Sequence, residues 1–361
     1  LDGPEDVVTI LASIVPKLPK ILVESDRVLS AASTISTNVI GPTLRSKNFP
    51  DVVSQSTVTL LHELSRLQNN QKTWKRDVSE AFNDSRFFGM KLGLVEDGWI
   101  PLLRQWILTD KEKMGELVGR INAPTTAGIV FGVGATSARL EADRKTQVNL
   151  RRIATLILAS AEDAFVADLP TIFDKLVEVL AATATSSPSS TTRADVYMVV
   201  RALVLRTSPI HLAMLWPVVN AEIHAAISSV VAPDNSTTSE TFTNLAILQA
   251  CKLLDLLVCV APDDFQLHEW LFITDTIDAV YRYSTAQPVA LIDELSEELG
   301  SATSQATGPS DAAAAAHLTA NSTHKRPLLG PGGISDEVSL ERRDELVAKI
   351  LRPFFGQLSI F

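Results

Sequence analysis

Histidines, cysteines and paired acids are the residues that would carry chemistry in this chain, and their spacing argues against it. His62, His211, His224, His268, His317 and His324 include no pair at HxxxH spacing, and neither Cys251 nor Cys259 lies in a CxxC. The ligand pattern of a structural zinc site is therefore missing. No GxSxG elbow offers an activated serine. Asp263-Asp264 and Glu297-Glu298 are adjacent carboxylates, but helix neighbours point about 100° apart and do not share a proton. Gly132-Val133-Gly134-Ala135-Thr136, inside GIVFGVGATSARLEADRK, lacks GxxxxGK[ST] spacing and strand–helix–strand surroundings. It reads as a glycine-rich connector. No catalytic residue, metal ligand or cofactor follows, and the expectation is a protein that is not an enzyme.

One basic cluster stands out. Arg139, Arg144, Lys145, Arg151 and Arg152 fall on or just before a single helix. Arg144 and Arg151 are seven apart, as are Lys145 and Arg152, so each pair stacks on one face two turns up. Such a face would contact anionic lipid headgroups or an acidic partner. The competing reading is a solvated face paired with Glu141 and Asp143, and it weighs more because charge runs usually mark exposed helix. Lys72, Lys75 and Arg76 around Trp74 form a second, weaker group.

The elements that position these groups read as helix after helix. Leu60, Leu61, Leu64 and Leu67 keep one face of a 3.6-residue period after Val53. Val196, Val199, Val200, Leu203 and Val204 repeat the pattern, with Thr192 as the expected cap and a stop at Ser208-Pro209. Over 210–231, Leu215, Val219, Ile223 and Ile227 recur every four residues, with Pro217 expected to kink the rod. Leu245, Leu248, Leu253, Leu254, Leu257 and Val258 make a helix apolar nearly all round, as a central helix is. Further helices are expected near 5–23, 26–40, 74–82, 99–108, 112–121, 144–161, 168–182, 265–282 and 338–359. Asp97-Gly98 reads as a connector, and strand signals are few. In the last helix Leu346, Ile350, Phe354 and Leu358 recur at steps of four, with Val347, Leu351 and Phe355 beside them. This stripe would cap the chain's own array or pair with a second copy, and Pro353 weighs against a regular zipper.

More than ten helices with short connectors point to an all-α fold: an irregular HEAT- or armadillo-like solenoid of antiparallel helix pairs. No repeat consensus supports this beyond helix count. The expected organisation is a helical-repeat array over 1–300, with polar loops near 183–192 and 233–240. A flexible low-complexity insert over 301–335 and a terminal helix over 336–361 complete it.

Composition sets outer limits. The 361 residues are 46% hydrophobic and 20% charged, enough apolar residue to bury a sizeable core. A formal charge of −10 argues against nucleic-acid binding, which needs a basic surface. Cys251 and Cys259 would sit about 12 Å apart along one helix, too far to bridge, which fits a reducing compartment such as the cytosol. No basic and then apolar leader follows Leu1, so the chain reads as a fragment. The most apolar stretch, 245–262, contains Gln249, Lys252 and Asp255 and reads as a buried helix, not a membrane span.

Several long blocks resemble the carboxy-terminal region of the Dopey family, most closely its filamentous-fungal members. They are IGPTLRSKNFPDVV (40–53), LLHELSRLQNNQKTWKRDVSEAFNDSRFF (60–88), WIPLLRQWILTDKEKM (99–114), FGVGATSARLEADRKTQVNLRRIA (131–154), RALVLRTSPIHLAMLWPVVNAEI (201–223) and LLDLLVCVAPDDFQLHEWLFITDTIDAVYR (253–282). The resemblance implies a large scaffold protein, cytosolic and peripheral on trans-Golgi network and endosome membranes. It implies assembly with a Mon-type HEAT-repeat partner and an aminophospholipid flippase, in support of protein sorting. It also implies leucine-zipper-like stretches near the carboxy terminus, and brings no catalytic residue with it.

Overall fold

The computed structural model describes residues 3–122, 133–186, 190–231, 242–260 and 326–358. Among them every regular element is a helix, and the one β feature is an isolated bridge between Leu329 and Ile334. The all-α expectation is met for these residues. The helices fall into two compact units, residues 1–116 with 155–161, and residues 117–154 with 162–361.

The first unit opens with α1 (Pro4–Ile14), a 3₁₀ turn at Val15–Lys17 and α2 (Leu18–Leu22). Prolines enter at first-turn positions, where a missing N–H costs least, so the expected single helix over 5–23 is segmented. α3 (Ser25–Ile35) continues through a wide turn, Ser36–Ile40, into α4 (Gly41–Leu44). There the Gly41 N–H reaches back five residues to the Ser36 carbonyl, the bonding of a π turn.

α5 (Gln55–Arg66) is capped by Ser54, whose Oγ accepts the Thr57 N–H at 3.1 Å. α6 (Gln71–Asn83) follows, then α7 (Leu92–Leu94), a second π turn at Val95–Trp99, and α8 (Ile100–Thr109). Gly98 is therefore inside a continuous rod, not a connector. It is glycine because α5 crosses there: a Cβ would lie 2.6 Å from Val58 Cγ1. Several aromatic rings interlock in this unit. Phe82 meets Phe87 and Trp106 edge-on at 5.3 and 5.9 Å, and Phe87 meets Trp99 at 5.2 Å, geometry that adds to area burial. Trp74 is wholly buried, so the weaker basic group surrounds a core anchor.

α9 (Lys113–Gly119) contributes its last residues to the second unit. α10 (Val133–Ala159) belongs to the second unit through Ala154, and its final turn to the first. The second unit continues with α11 (Leu169–Ser186), α12 (Ser190–Arg206), α13 (Trp216–Val231) and α14 (Asn244–Val260). It closes with α15 (Arg343–Leu346), a third π turn at Val347–Leu351 and α16 (Arg352–Leu358). α14 is the central helix expected, with Ala246, Ile247, Ala250, Cys251, Leu253 and Leu257 wholly buried. Cys251 and Cys259 are not joined by a disulfide.

Several boundaries differ from expectation. The polar run at 183–192 is mostly helix: Thr183–Ser186 finish α11 and Ser190–Thr192 open α12, with 187–189 outside the described residues. Thr192 sits in the first turn of α12 instead of capping it, and its Oγ1 accepts from Gln147 Nε2 at 3.1 Å. Pro217 begins α13 and does not kink it, because residues 209–215 form 3₁₀ turns. The Gly132–Thr136 connector becomes the first turn of α10 from Val133 onward. The loop at 233–240, the helix at 265–282 and the low-complexity run to 325 lie outside the described residues. Residues 326–335 of the expected flexible insert are pinned: Leu329 is buried and both its N–H and that of Leu328 have a partner.

Candidate interaction surface

Of the five basic residues singled out on α10, the four whose side chains are described do not share one surface. Arg144 and Lys145 are exposed, and Lys145 lies 3.9 Å from Glu141. Arg151 is half-exposed and pairs with Asp195 of α12 at 3.2 Å. Arg152 is 7% exposed, and its Nη1 donates to Asn149 Oδ1 at 3.0 Å. Arg152 is thus removed from any lipid or partner contact. A seven-residue spacing fixes the direction of a side chain around the helix, while depth depends on what covers that side, and this changes along α10. The position of the Arg139 side chain is outside the described residues.

The neighbouring helices hold a series of polar clasps instead. Arg193 of α12, 3% exposed at its side chain, lies 3.1 Å from Glu222 of α13 and stacks over the Phe242 ring at 4.6 Å. Tyr197 donates its hydroxyl to the same Glu222 at 2.7 Å, and burial followed by that carboxylate pushes the phenol well above its usual range. Arg201 donates to Gln249 of α14 at 3.1 Å, and burial lowers its pKa. Asp195 is pushed up to about 6 by burial, against the pull of Arg151.

Asp255 of α14 accepts the Leu328 and Leu329 N–H groups at 2.9 Å each, while burial raises its carboxyl. Lys252 pairs with Asp336 a few residues on. These bonds strap 326–337 to α14. Spacing offers a retrospective signal: Arg193 and Arg201 are eight apart, as are Leu245 and Leu253, so the arginines follow a buried face. Nothing in the sequence near Asp255 marks it as an anchor.

The terminal stripe is buried within the chain. Leu346, Ile350 and Phe354 are wholly covered, and Phe355 and Leu358 nearly so. Arg343 secures the approach by donating to Asn244 Oδ1 at 2.5 Å and the Phe242 carbonyl at 2.9 Å, and Asn244 Nδ2 donates to the Leu340 carbonyl at 2.8 Å. Helix begins only at Arg343, later than expected.

Where α11, α12 and α13 meet, Phe173, Leu176, Val196, Val200 and Val219 line a shallow apolar groove, with Glu222 at its edge engaged as above. Among the described residues no group of three or more His, Cys, Asp or Glu is placed to hold a metal ion, and no helix is long and apolar enough to cross a membrane.

The described residues define an all-helical protein whose buried polar side chains join helix to helix. The family model described as DOP1 C-terminal matches residues 2–361, and the chain belongs to that family, the Dopey proteins. It is 46% identical over 358 residues to Protein dop1 of Emericella nidulans, covering 99% of this chain and 19% of that protein. It is 24% identical to Protein DOP1 of Saccharomyces cerevisiae, over 75% of this chain and 16% of that one. For Protein DOP1B of Mus musculus the figures are 25%, 74% and 12%. The chain therefore spans a fifth or less of the length of these relatives. No solved structure matches it.

Proposed function

We propose that this chain is a non-enzymatic interaction domain of a Golgi–endosome trafficking scaffold, built as an irregular stack of helix pairs. It assembles with a Mon-type HEAT-repeat protein and an aminophospholipid flippase, peripherally on trans-Golgi network and endosome membranes. The observation that carries the reading is the family match along residues 2–361, which brings the Dopey expectation to the whole chain. The use of buried polar groups as helix clasps supports a load-carrying role. Purified 1–361 is tested against each partner separately by calorimetric titration. Saturable binding to either one supports the scaffold reading, and heatless titrations with both would remove it from this region.

The lipid-reading alternative retains Arg144 and Lys145, the two residues still exposed. Two cations supply on the order of 2 kcal/mol at an anionic surface, and a chain of net charge −10 works against them. Flotation with phosphoinositide vesicles at physiological salt is expected to leave the protein at the bottom. Flotation lost in Arg144→Glu/Lys145→Glu would favour the lipid reading instead.

A further inference from the structure

The first unit leaves an apolar row uncovered at its opening helix. Val7, Ile10 and Ile14 of α1 follow one another at three and four residues, a single helix face. They are 46, 40 and 37% exposed. The adjoining positions are in use: Val8 and Val15 are buried, and α1 lies along α5, where the Thr9 and Ser56 hydroxyls are 2.9 Å apart. A helix that ends a stacked array carries a polar outer face, since nothing covers it. The α15–α16 rod behaves as an end helix, with its stripe turned inward and buried. α1 does the reverse.

Two observations select the occupant. The matching family model is the carboxy-terminal one, and only 19% of the Emericella nidulans relative lies within the match, so most of that relative's chain precedes it. The surroundings of the row are acidic: Glu5, Asp6, Glu24 and Asp26 outnumber Lys17, Lys20 and Arg27, and Arg27 is tied to Glu24 at 3.0 Å. An anionic bilayer is a poor fit to that charge. We propose that the Val7–Ile10–Ile14 row seats the helical segment that precedes this region in full-length Dopey proteins, making α1 an inner layer of a longer stack. The proposal stands on the exposed row and the length of the relatives, independently of any trafficking partner.

The test compares hydrogen exchange of the peptide matching residues 4–23 in the whole Emericella nidulans protein and in its carboxy-terminal fragment. At least tenfold slower exchange in the whole protein is expected, and equal exchange overturns the proposal. In a second arm, residues 1–361 are mixed with the preceding segment of that protein, about 80 residues or two helix pairs. Binding is expected to weaken at least tenfold in Val7→Asp, a change at the most exposed position of the row, with the melting temperature of 1–361 unchanged. Binding indifferent to Val7→Asp overturns the proposal. So does self-association of 1–361 that Val7→Asp abolishes, which makes a second copy the occupant, or vesicle flotation that it abolishes, which makes lipid the occupant.

Discussion

Asp195 is the residue whose chemistry the fold changes most usefully for measurement. Its carboxyl is held at about 6 in the folded protein, against 3.8 ordinarily, chiefly by burial. A folded pKa above the unfolded one means the native state holds the proton more tightly. The stabilisation is therefore complete below pH 4 and is lost as pH rises through 6. Two units correspond to roughly 3 kcal/mol. The wild type is expected to gain up to that amount relative to Asp195→Asn between pH 6 and pH 4, read by urea unfolding. A difference independent of pH would show that Asp195 titrates normally. Gly98 offers a second test, because a methyl there meets Val58 of α5. Gly98→Ala is expected to cost about 1–3 kcal/mol, the usual range for overpacking, measured by thermal or urea unfolding. Glycine at 98 was visible in the sequence, but adjacency to Asp97 suggested a turn. What fixes it is a crossing helix forty residues earlier in the chain, which periodicity does not report. The same applies to Arg151 and Arg152, neighbours in sequence that end in different environments.

At the scale of elements, the strap over α14 and the terminal rod are the parts most open to experiment. Asp255 holds two backbone N–H groups of residues 328 and 329. Asp255→Ala leaves both without that acceptor and is expected to cost about 1–3 kcal/mol. The same variant should speed amide exchange at Leu328 and Leu329 ahead of the rest of the unit. Long helices with continuous apolar faces, such as α12 and α14, were legible because each repeats its signal over four or more turns. The α11–α12 connection was not. Its threonines and serines favour loops by side-chain competition for backbone bonds, yet helix propagates from both sides and leaves little polar run between. Conversely, α1 and α2 looked continuous because proline at a first-turn position preserves apolar spacing while breaking the rod.

For the whole molecule, the burial of Leu346, Ile350, Phe354, Phe355 and Leu358 predicts the role of the last segment. Light scattering of 1–361 should give a mass of 39.1 kDa. Removing residues 338–361 should lower the melting temperature and promote aggregation, since it strips a cover from the core. A dimeric 1–361 that becomes a stable monomer on truncation would instead make this segment a zipper. Helical class was readable from composition and period together. No repeat consensus emerged, and the three π turns supply a physical reason.

Each of those turns adds one residue to an otherwise regular rod, at Ser36–Ile40, Val95–Trp99 and Val347–Leu351. One added residue advances every later side chain by about 100°. Two ancestral copies of a motif that acquired such insertions at different sites would drift out of phase and cease to align. The insertions also mark where the chain has length to spare. Deleting Asn38 should let the Ser25–Leu44 rod relax toward ordinary winding and melt within a few degrees of the parent, whereas deleting Thr59 from the uninterrupted α5 should rotate Leu60, Leu61 and Leu64 out of the core and abolish folding.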